Sequence, residues 1–418
     1  MKIMKKFTFK HVLSALLCVV ILTSALLFTG CGRPKYDKAE EDEQGLNFYL
    51  TADESAYSVA ALGTLTTNDV VIPAEFNGKP VTVLDFRSSI VRNLFTDTQI
   101  SIPDSITMVG CEEGNISIIE SYLEENGTAN IQEALGKYAI YDKGSIYMGN
   151  ESNPYLMLVY TNNESYSTHS GTKLIADTAF GESVRSISIS DEVVFIHRGA
   201  FRFIECDTIQ DEASGASIYN SVKISVDENN KNYKIANNML VNKDATRVIY
   251  CTLDLITAVP ETVEYFEMYA VTANNISTYR DALISMDMAS ADAPLYLPKG
   301  DNEQAVLLYA PEGSTVSDKV EIIASGALAD FSTVTIPDSA IQIMPQALSY
   351  GVSSVTIGTK GWYNASKYAD GFGYDLGYMD YPDDIKKLAK ETKDWSSSTT
   401  AVMETTASLY QNWCRPID

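Results

Sequence analysis

One short phrase recurs along this chain, and its spacing limits the available folds more than any single residue does. It appears as Val71-Ile72-Pro73, Ile100-Ser101-Ile102-Pro103-Asp104-Ser105, Ile187-Ser188-Ile189-Ser190-Asp191, Ala258-Val259-Pro260-Glu261 and Val334-Thr335-Ile336-Pro337-Asp338-Ser339. Alternating apolar and polar residues make a short strand with one buried face, and a proline directly after it stops the strand because it supplies no backbone donor. A second phrase follows at fixed distance, an apolar residue and then Ala with a large apolar neighbour. Its copies are Ile175 with Ala179-Phe180, Ile196 with Ala200-Phe201, Phe266 with Ala270-Val271, Ile323 with Ala327-Leu328 and Ile343 with Ala347-Leu348. Ile175 to Ile196 is 21 residues and Ile323 to Ile343 is 20, which is solenoid spacing. No such unit buries its apolar face alone. Neighbours must stack, and the later Ile with its Ala-Phe pair is expected to turn inward and fill the gap between rungs.

Two stretches depart from the repeat. Tyr233-Lys234-Ile235, Met239-Leu240-Val241 and Arg247-Val248-Ile249-Tyr250 are β-type runs separated by Asn237-Asn238 and Lys243-Asp244, which predicts a small meander. After Gly358 the chain becomes aromatic, with Trp362, Tyr363, Tyr368, Phe372, Tyr374, Tyr378 and Tyr381, and then shows two helical patterns. The first starts at Pro382 and places Ile385, Leu388 and Ala389 on one face; the second spans about Thr399 to Trp413. An open end of a stack leaves apolar surface in water, so this tail is expected to be its cap. Repeats between Gly110 and Lys137 and between Thr272 and Gln304 are too degenerate to read.

The repeats resemble those of the bacterial surface leucine-rich repeats called BspA-like, in which IPDSV, then I, then AF recur. The stretch from Val70 to Leu84, VVIPAEFNGKPVTVL, matches a common opening of that family, Tyr147 to Val159 is similar to its YLGNEENPYLVLV segment, and Val226 to Tyr233 to its VDENNPNY segment. The matches run from roughly Leu46 to Gly358. The expected fold is therefore mainly β with some α: a leucine-rich-repeat solenoid of short strands over 46–358, with β-meander interludes near 138–160 and 226–250 and a partly helical cap over 359–418. The resemblance also implies attachment to host matrix proteins or to other microbes.

The first thirty residues carry Lys2, Lys5, Lys6 and Lys10 followed by an apolar run that ends at Phe28-Thr29-Gly30-Cys31, the layout of a secretory signal. Small residues before a cysteine resemble a lipobox, although the family usually has Leu where this chain has Phe28. Residues 1–30 are thus expected to be a lipoprotein signal peptide, Cys31 the lipidated residue, and 31–45 a flexible charged tether. The alternatives are an ordinary signal peptide or an uncleaved anchor helix. The expected location is the extracytoplasmic face of a membrane or the cell surface.

Without residues 1–30 the chain holds 27 basic and 55 acidic residues, a formal charge of −28. A phosphate backbone is bound by neutralising its charge, so nucleic acid is not an expected partner. Cys111, Cys206, Cys251 and Cys414 form no CxxC pair, and no disulfide is assigned. No GxSxG, HExxH or P-loop string is present, and the two histidines of that chain are His169 and His197, the latter inside a repeat. Asp227 to Asn232 resembles a calcium loop only superficially, since Lys231 stands at a ligand position and Asn232 where a Gly belongs. No enzyme, cofactor or metal is expected, and no catalytic residue is assigned. Trp362, Tyr363 and Tyr374 are the candidate ligand-binding residues, because exposed aromatic side chains stack on sugars and anchor protein partners. A surface protein of a host or microbe is the expected partner, with a glycan or peptide captured for a transporter or surface enzyme as the alternative.

Overall fold

The computed structural model describes residues 40–348 apart from 52–53, 63–65, 85–93, 111–114, 211–216 and 254–257; beyond 348 it describes the strands Ser354–Thr356, Tyr363–Asn364 and Trp413–Cys414. Among the described residues the chain is mainly β, with helices at Asn115–Asn126, Ile131–Leu135 and Ala273–Ser285. It is built as a repeat.

Four sheets follow one another, each opening antiparallel and continuing as parallel rungs. The first joins Glu40–Glu41, Leu46–Leu50 and Tyr57–Leu62, then passes in parallel to Lys79–Leu84 and Met108–Val109. The second runs through Ala139–Asp142, Ser145–Met148 and Met157–Thr161 to the rungs Leu174–Ile175 and Phe195–Ile196. The third is the expected meander, Tyr233–Ala236, Met239–Asn242 and Arg247–Cys251, extended by Tyr265–Phe266. The fourth opens with the hairpin Leu295–Lys299 and Asn302–Tyr309 and adds Ile322–Ile323 and Gln342–Ile343. Local chemistry sets the antiparallel corners. Asn77-Gly78, Lys143-Gly144 and Asn237-Asn238 each have two consecutive positive φ angles, the geometry of a type I′ hairpin turn, whose twist matches that of the strands it joins.

The first phrase forms ladders of its own. Asp69–Val71 pairs in parallel with Gln99–Ser101, Ser165–Ser167 with Ser186–Ile189 and then Lys223–Val226, and Thr333–Thr335 with Ser354–Thr356. The later apolar residue of each repeat is not a filler between rungs, contrary to the sequence expectation. It is a second rung, since Leu174 pairs with Phe195 and Ser165 with Ser186, both at an offset of 21 residues (195 − 174 and 186 − 165). Two adjacent apolar residues in extended conformation bond the coil before and the coil after through the main chain, which a packed side chain cannot do.

The Ala-Phe pair supplies the filling. Thr178, Gly326 and Gln346, each just before the Ala, have φ of 52°, 74° and 59°, so the chain turns a left-handed corner there and drives the next two residues inward. The rings of Phe180 and Phe201 stack with centroids 5.1 Å apart, and Phe201 stacks on Tyr250 at 4.8 Å. Tyr250 comes from the third sheet's meander and occupies the place a further coil's Phe would take, fully buried. Such offset stacks contribute about 0.5–1.5 kcal/mol beyond the area they bury.

Three expectations need correction. The segment read as tether is ordered from Glu40, because Glu40–Glu41 pairs with Asn47-Phe48 and the Asp42 carboxylate closes the turn by accepting from the Gln44 and Leu46 amides. The two unreadable segments contain helices, not degenerate coils: Ile116 and Ile119 bury one face of Asn115–Asn126, and Thr272 caps Ala273–Ser285 by accepting from the Asn275 amide. Trp413, read as the end of a helix, lies in a strand that pairs antiparallel with Gln342–Ile343 and with Tyr363–Asn364. The rest of the expected cap lies outside the described residues, as do the signal segment and Cys31.

Candidate functional site

Alternation within the first phrase decides what the longest of its ladders shows to solvent. Tyr166, Ile187 and Ile224 are in register and turned to the core side, with Tyr166 and Ile187 buried. On the outward side lie two columns, Ser165, Ser186 and Lys223, and Ser167, Ser188 and Ser225. All are exposed except the half-buried Ser186. Neighbouring rungs are about 4.8 Å apart, so the second column is a row of three hydroxyls on a fixed grid; Ser225 donates to the Ser188 oxygen at 3.1 Å. The grid is continued past its strands, since the Thr168 amide donates to Ser188 C=O at 2.9 Å and the Asp227 amide to Ile189 C=O at 2.9 Å.

Beside this face a hairpin, Asp207–Gln210 with Ser217–Asn220, leaves the repeat between two rungs. Arg185, next to Ser186, holds its first residue through an ion pair with Asp207 at 2.6 Å. The Ser217 amide donates to Ser285 Oγ at 3.0 Å and the Tyr219 ring meets that of Tyr279 edge-on at 5.2 Å, which docks the hairpin on the helix Ala273–Ser285. Ile209 remains 55 % exposed on it.

Side-chain amides hold consecutive sheets together. Asn150 accepts from the Ser152 and Asn153 amides and donates to Ile102 C=O at 2.8 Å. Asn230, wholly buried, accepts from Asn232 and Tyr233 at 2.8 and 2.7 Å and donates to Ser190 and Val193 C=O at 2.7 and 3.1 Å. These two asparagines sit in the two segments whose likeness to the surface-repeat family was noted from sequence, and each clamps its loop to the preceding rung. Asp227, the first residue of the calcium-like string, instead accepts from the Asn229 amide in a turn. Among the described residues no group of three His, Cys, Asp or Glu side chains is placed to hold a metal ion.

His197 is fully buried with its Nδ1 3.0 Å from Asp177 Oδ1, and the same nitrogen accepts from the Gly199 amide. A Cβ at Gly199 would collide with that carboxylate. The group is sealed from solvent and fixes the corner of a coil; it offers no surface to a substrate. Glu124 and Glu125 face solvent at the end of their helix. Cys206 and Cys251 are free, buried thiols. Burial pushes both above the ordinary thiol range, which makes them inert as nucleophiles at neutral pH.

The aromatic candidates are not brought together by anything described. Trp362 and Tyr374 lie outside the described residues, and of Tyr363 only the backbone pairing with Trp413–Cys414 is described. Sequence reading missed Lys223–Val226 as a rung, placing it at the border of an interlude, although its apolar-polar alternation was the available signal. No helix among the described residues is long and apolar enough to cross a membrane.

No family model matches the chain, and no curated protein matches it. It is similar to the solved structure of the pneumococcal vaccine antigen PcpA at 15 % identity, covering 77 % of this chain and 82 % of that one, with a TM-score of 0.24. It is similar also to a leucine-rich cell surface protein from Faecalibacterium prausnitzii, at 14 % identity over 80 % and 92 % of the two chains with a TM-score of 0.22. A leucine-rich repeat protein from Eubacterium ventriosum gives 16 % identity over 75 % and 94 % with a TM-score of 0.23.

Proposed function

We propose that this chain is a non-enzymatic surface lipoprotein of the BspA-like leucine-rich-repeat kind, tethered through Cys31, whose stacked coils form a solenoid that binds a protein partner. The observation that carries the reading is the outward grid of Ser165, Ser167, Ser188, Lys223 and Ser225, in which buried neighbours fix exposed polar groups on consecutive coils. Rigid recognition of this kind loses little ordering entropy on binding, and its area grows with the number of coils. A sealed His197-Asp177 pair and unreactive thiols supply no chemistry that would favour an enzyme.

A capture assay with residues 32–418 against host matrix proteins and a glycan panel tests the proposal. The expected result is protein capture that a Ser167→Arg/Ser188→Arg variant loses and a Trp362→Ala/Tyr363→Ala/Tyr374→Ala variant keeps. Glycan capture lost only in the aromatic variant would replace this reading with ligand delivery. Palmitate labelling of the full chain, abolished by Cys31→Ser, tests the tether.

A further inference from the structure

The hairpin that opens the fourth sheet brings three reactive side chains to one point. Lys299 and Asn302 are direct cross-strand partners at its turn, so their Cβ atoms lie about 4.5–5.5 Å apart on one face, within reach of a lysine stem. Glu321 comes from the next coil, one residue before the rung Ile322–Ile323. Its carboxylate takes both neighbours at once: Lys299 Nζ donates to Oε2 at 2.6 Å and Asn302 Nδ2 to Oε1 at 3.2 Å.

The lysine is held more closely than its ion-paired counterparts. The side chains of Lys137 and Lys173 are 48 % and 36 % exposed, whereas that of Lys299 is 15 % exposed and that of Glu321 27 %, so water competes less for this amine. The asparagine is fixed as firmly. Its Oδ1 accepts from the Gln304 amide at 3.1 Å and its Nδ2 donates also to Lys319 C=O at 2.8 Å, which sets the plane of the amide and polarises its carbonyl carbon. One carboxylate thus touches both an amine and the nitrogen of a polarised amide. Those are the parts of an aminolysis: a positioned nucleophile, a proton carrier and a donor for the developing oxyanion.

We propose that Lys299 and Asn302 join in an intramolecular isopeptide bond, with Glu321 carrying the protons. Lys299 Nζ attacks Asn302 Cγ; the Nζ–Cγ bond forms and the Cγ–Nδ2 bond breaks. Two of the ammonium's three protons pass by way of the Glu321 carboxylate to Nδ2, which departs as ammonium, and Glu321 ends as the carboxylate it was. No oxidant, cofactor or second molecule is consumed. The link closes the turn covalently where the fourth sheet begins, apart from the serine grid and whatever that grid recognises.

The test is peptide mass spectrometry of the full chain, purified in detergent micelles and digested with trypsin. The peptide from Asp281 to Lys319 is expected uncut after Lys299, lighter than its sequence by one ammonia, and without fragment ions from backbone cleavage between Lys299 and Asn302. Lys299→Arg keeps a cation for Glu321 but no acylable amine, and Glu321→Gln removes the proton carrier; both are expected to lose the modification and show sequence mass. Sequence mass in the parent, with cleavage after Lys299, would overturn the proposal, because an ion pair alone leaves the chain unaltered. Ammonia loss that persists in Lys299→Arg would also overturn it, since Asn302 would then have closed a succinimide on its own backbone. Persistence in Glu321→Gln would overturn the part given to Glu321. Equal far-ultraviolet circular dichroism of the three proteins confirms that a missing bond is not misfolding.

Discussion

The seam between the second and third sheets and the seam between the third and fourth meet the same demand with different side chains. An edge rung leaves backbone groups that the next coil would have satisfied, and buried groups left alone are costly. At the first seam the Ile196 amide donates to the Tyr233 hydroxyl at 2.8 Å, and Asn230 fastens the adjoining loop with four hydrogen bonds. At the second, the Gln342 amide copies a peptide group: it accepts from the Phe266 amide at 3.0 Å and donates to Phe266 C=O at 2.7 Å, almost wholly buried. The Tyr233 hydroxyl accepts from the edge amide at a seam that borders a cleft, whereas the Gln342 amide both accepts from and donates to one residue, as a neighbouring strand would. Interruptions in a repeat are thus tolerated where one side chain can stand in for the missing strand.

The contrast can be broken at either seam, with stability read by urea denaturation. Asn230→Ala is expected to have the largest effect, about 4 kcal/mol, because four backbone groups lose their partner at about 1–3 kcal/mol each and water reaches some of them. Gln342→Met, close in shape and apolar, is expected to lose about 3 kcal/mol from stranding the Phe266 N–H and C=O. If it loses no more than Tyr233→Phe, the amide is not replacing a peptide group. Tyr233→Phe removes one acceptor from one amide and is expected to lose about 1.5 kcal/mol.

The smallest effect sharpens the question of which seam is dry. Cys206 follows the last rung of the second sheet and Cys251 ends a strand of the third, and burial raises both thiols. An acid raised in the folded state contributes its full stability below the unfolded thiol value of about 8.5. As pH rises beyond that, the unfolded chain loses a proton that the folded chain keeps, so stability falls by up to about 1.4 kcal/mol per pH unit for each thiol. Denaturation curves from pH 7.5 to 8.5 should show the start of the decline, under about 1 kcal/mol for the two thiols together, and a thiol reagent at pH 8 should leave both cysteines unlabelled until urea is added. Rapid labelling of native protein would mean that water enters the first seam.

Much of this fold is legible in the sequence because the first phrase is local. Ile187-Ser188-Ile189 carries its own strand, its own inward face and, through its repetition, its own spacing. Leu174–Ile175 does not, since two apolar residues in a row read equally well as core filling, and only the register with Phe195–Ile196 makes them a rung. Lys223–Val226 escaped because the hairpin inserted after Cys206 stretches its offset from Ser186 beyond the repeat length. Outward serines could be anticipated from alternation alone. The cleft between the sheets could not: Met108, Phe195 and Lys231 are far apart in sequence and line one space only once three sheets have stacked. Asn230 lies in a short polar string whose composition argues against a calcium loop but gives no signal for the clamp it forms, because its partners Ser190 and Val193 are about 40 residues away.

The serine column also has a statistical consequence. Ser167, Ser188 and Ser225 each place a hydroxyl on the same face of the ladder, one rung apart. A ligand group that recognises one of them therefore has about three places to sit, a degeneracy worth RT ln 3, about 0.65 kcal/mol. A partner with its own periodicity near the rung spacing could shift by one coil without losing its contacts. For such a partner the surface fixes direction more firmly than position, and a long filament could exchange registers without leaving it.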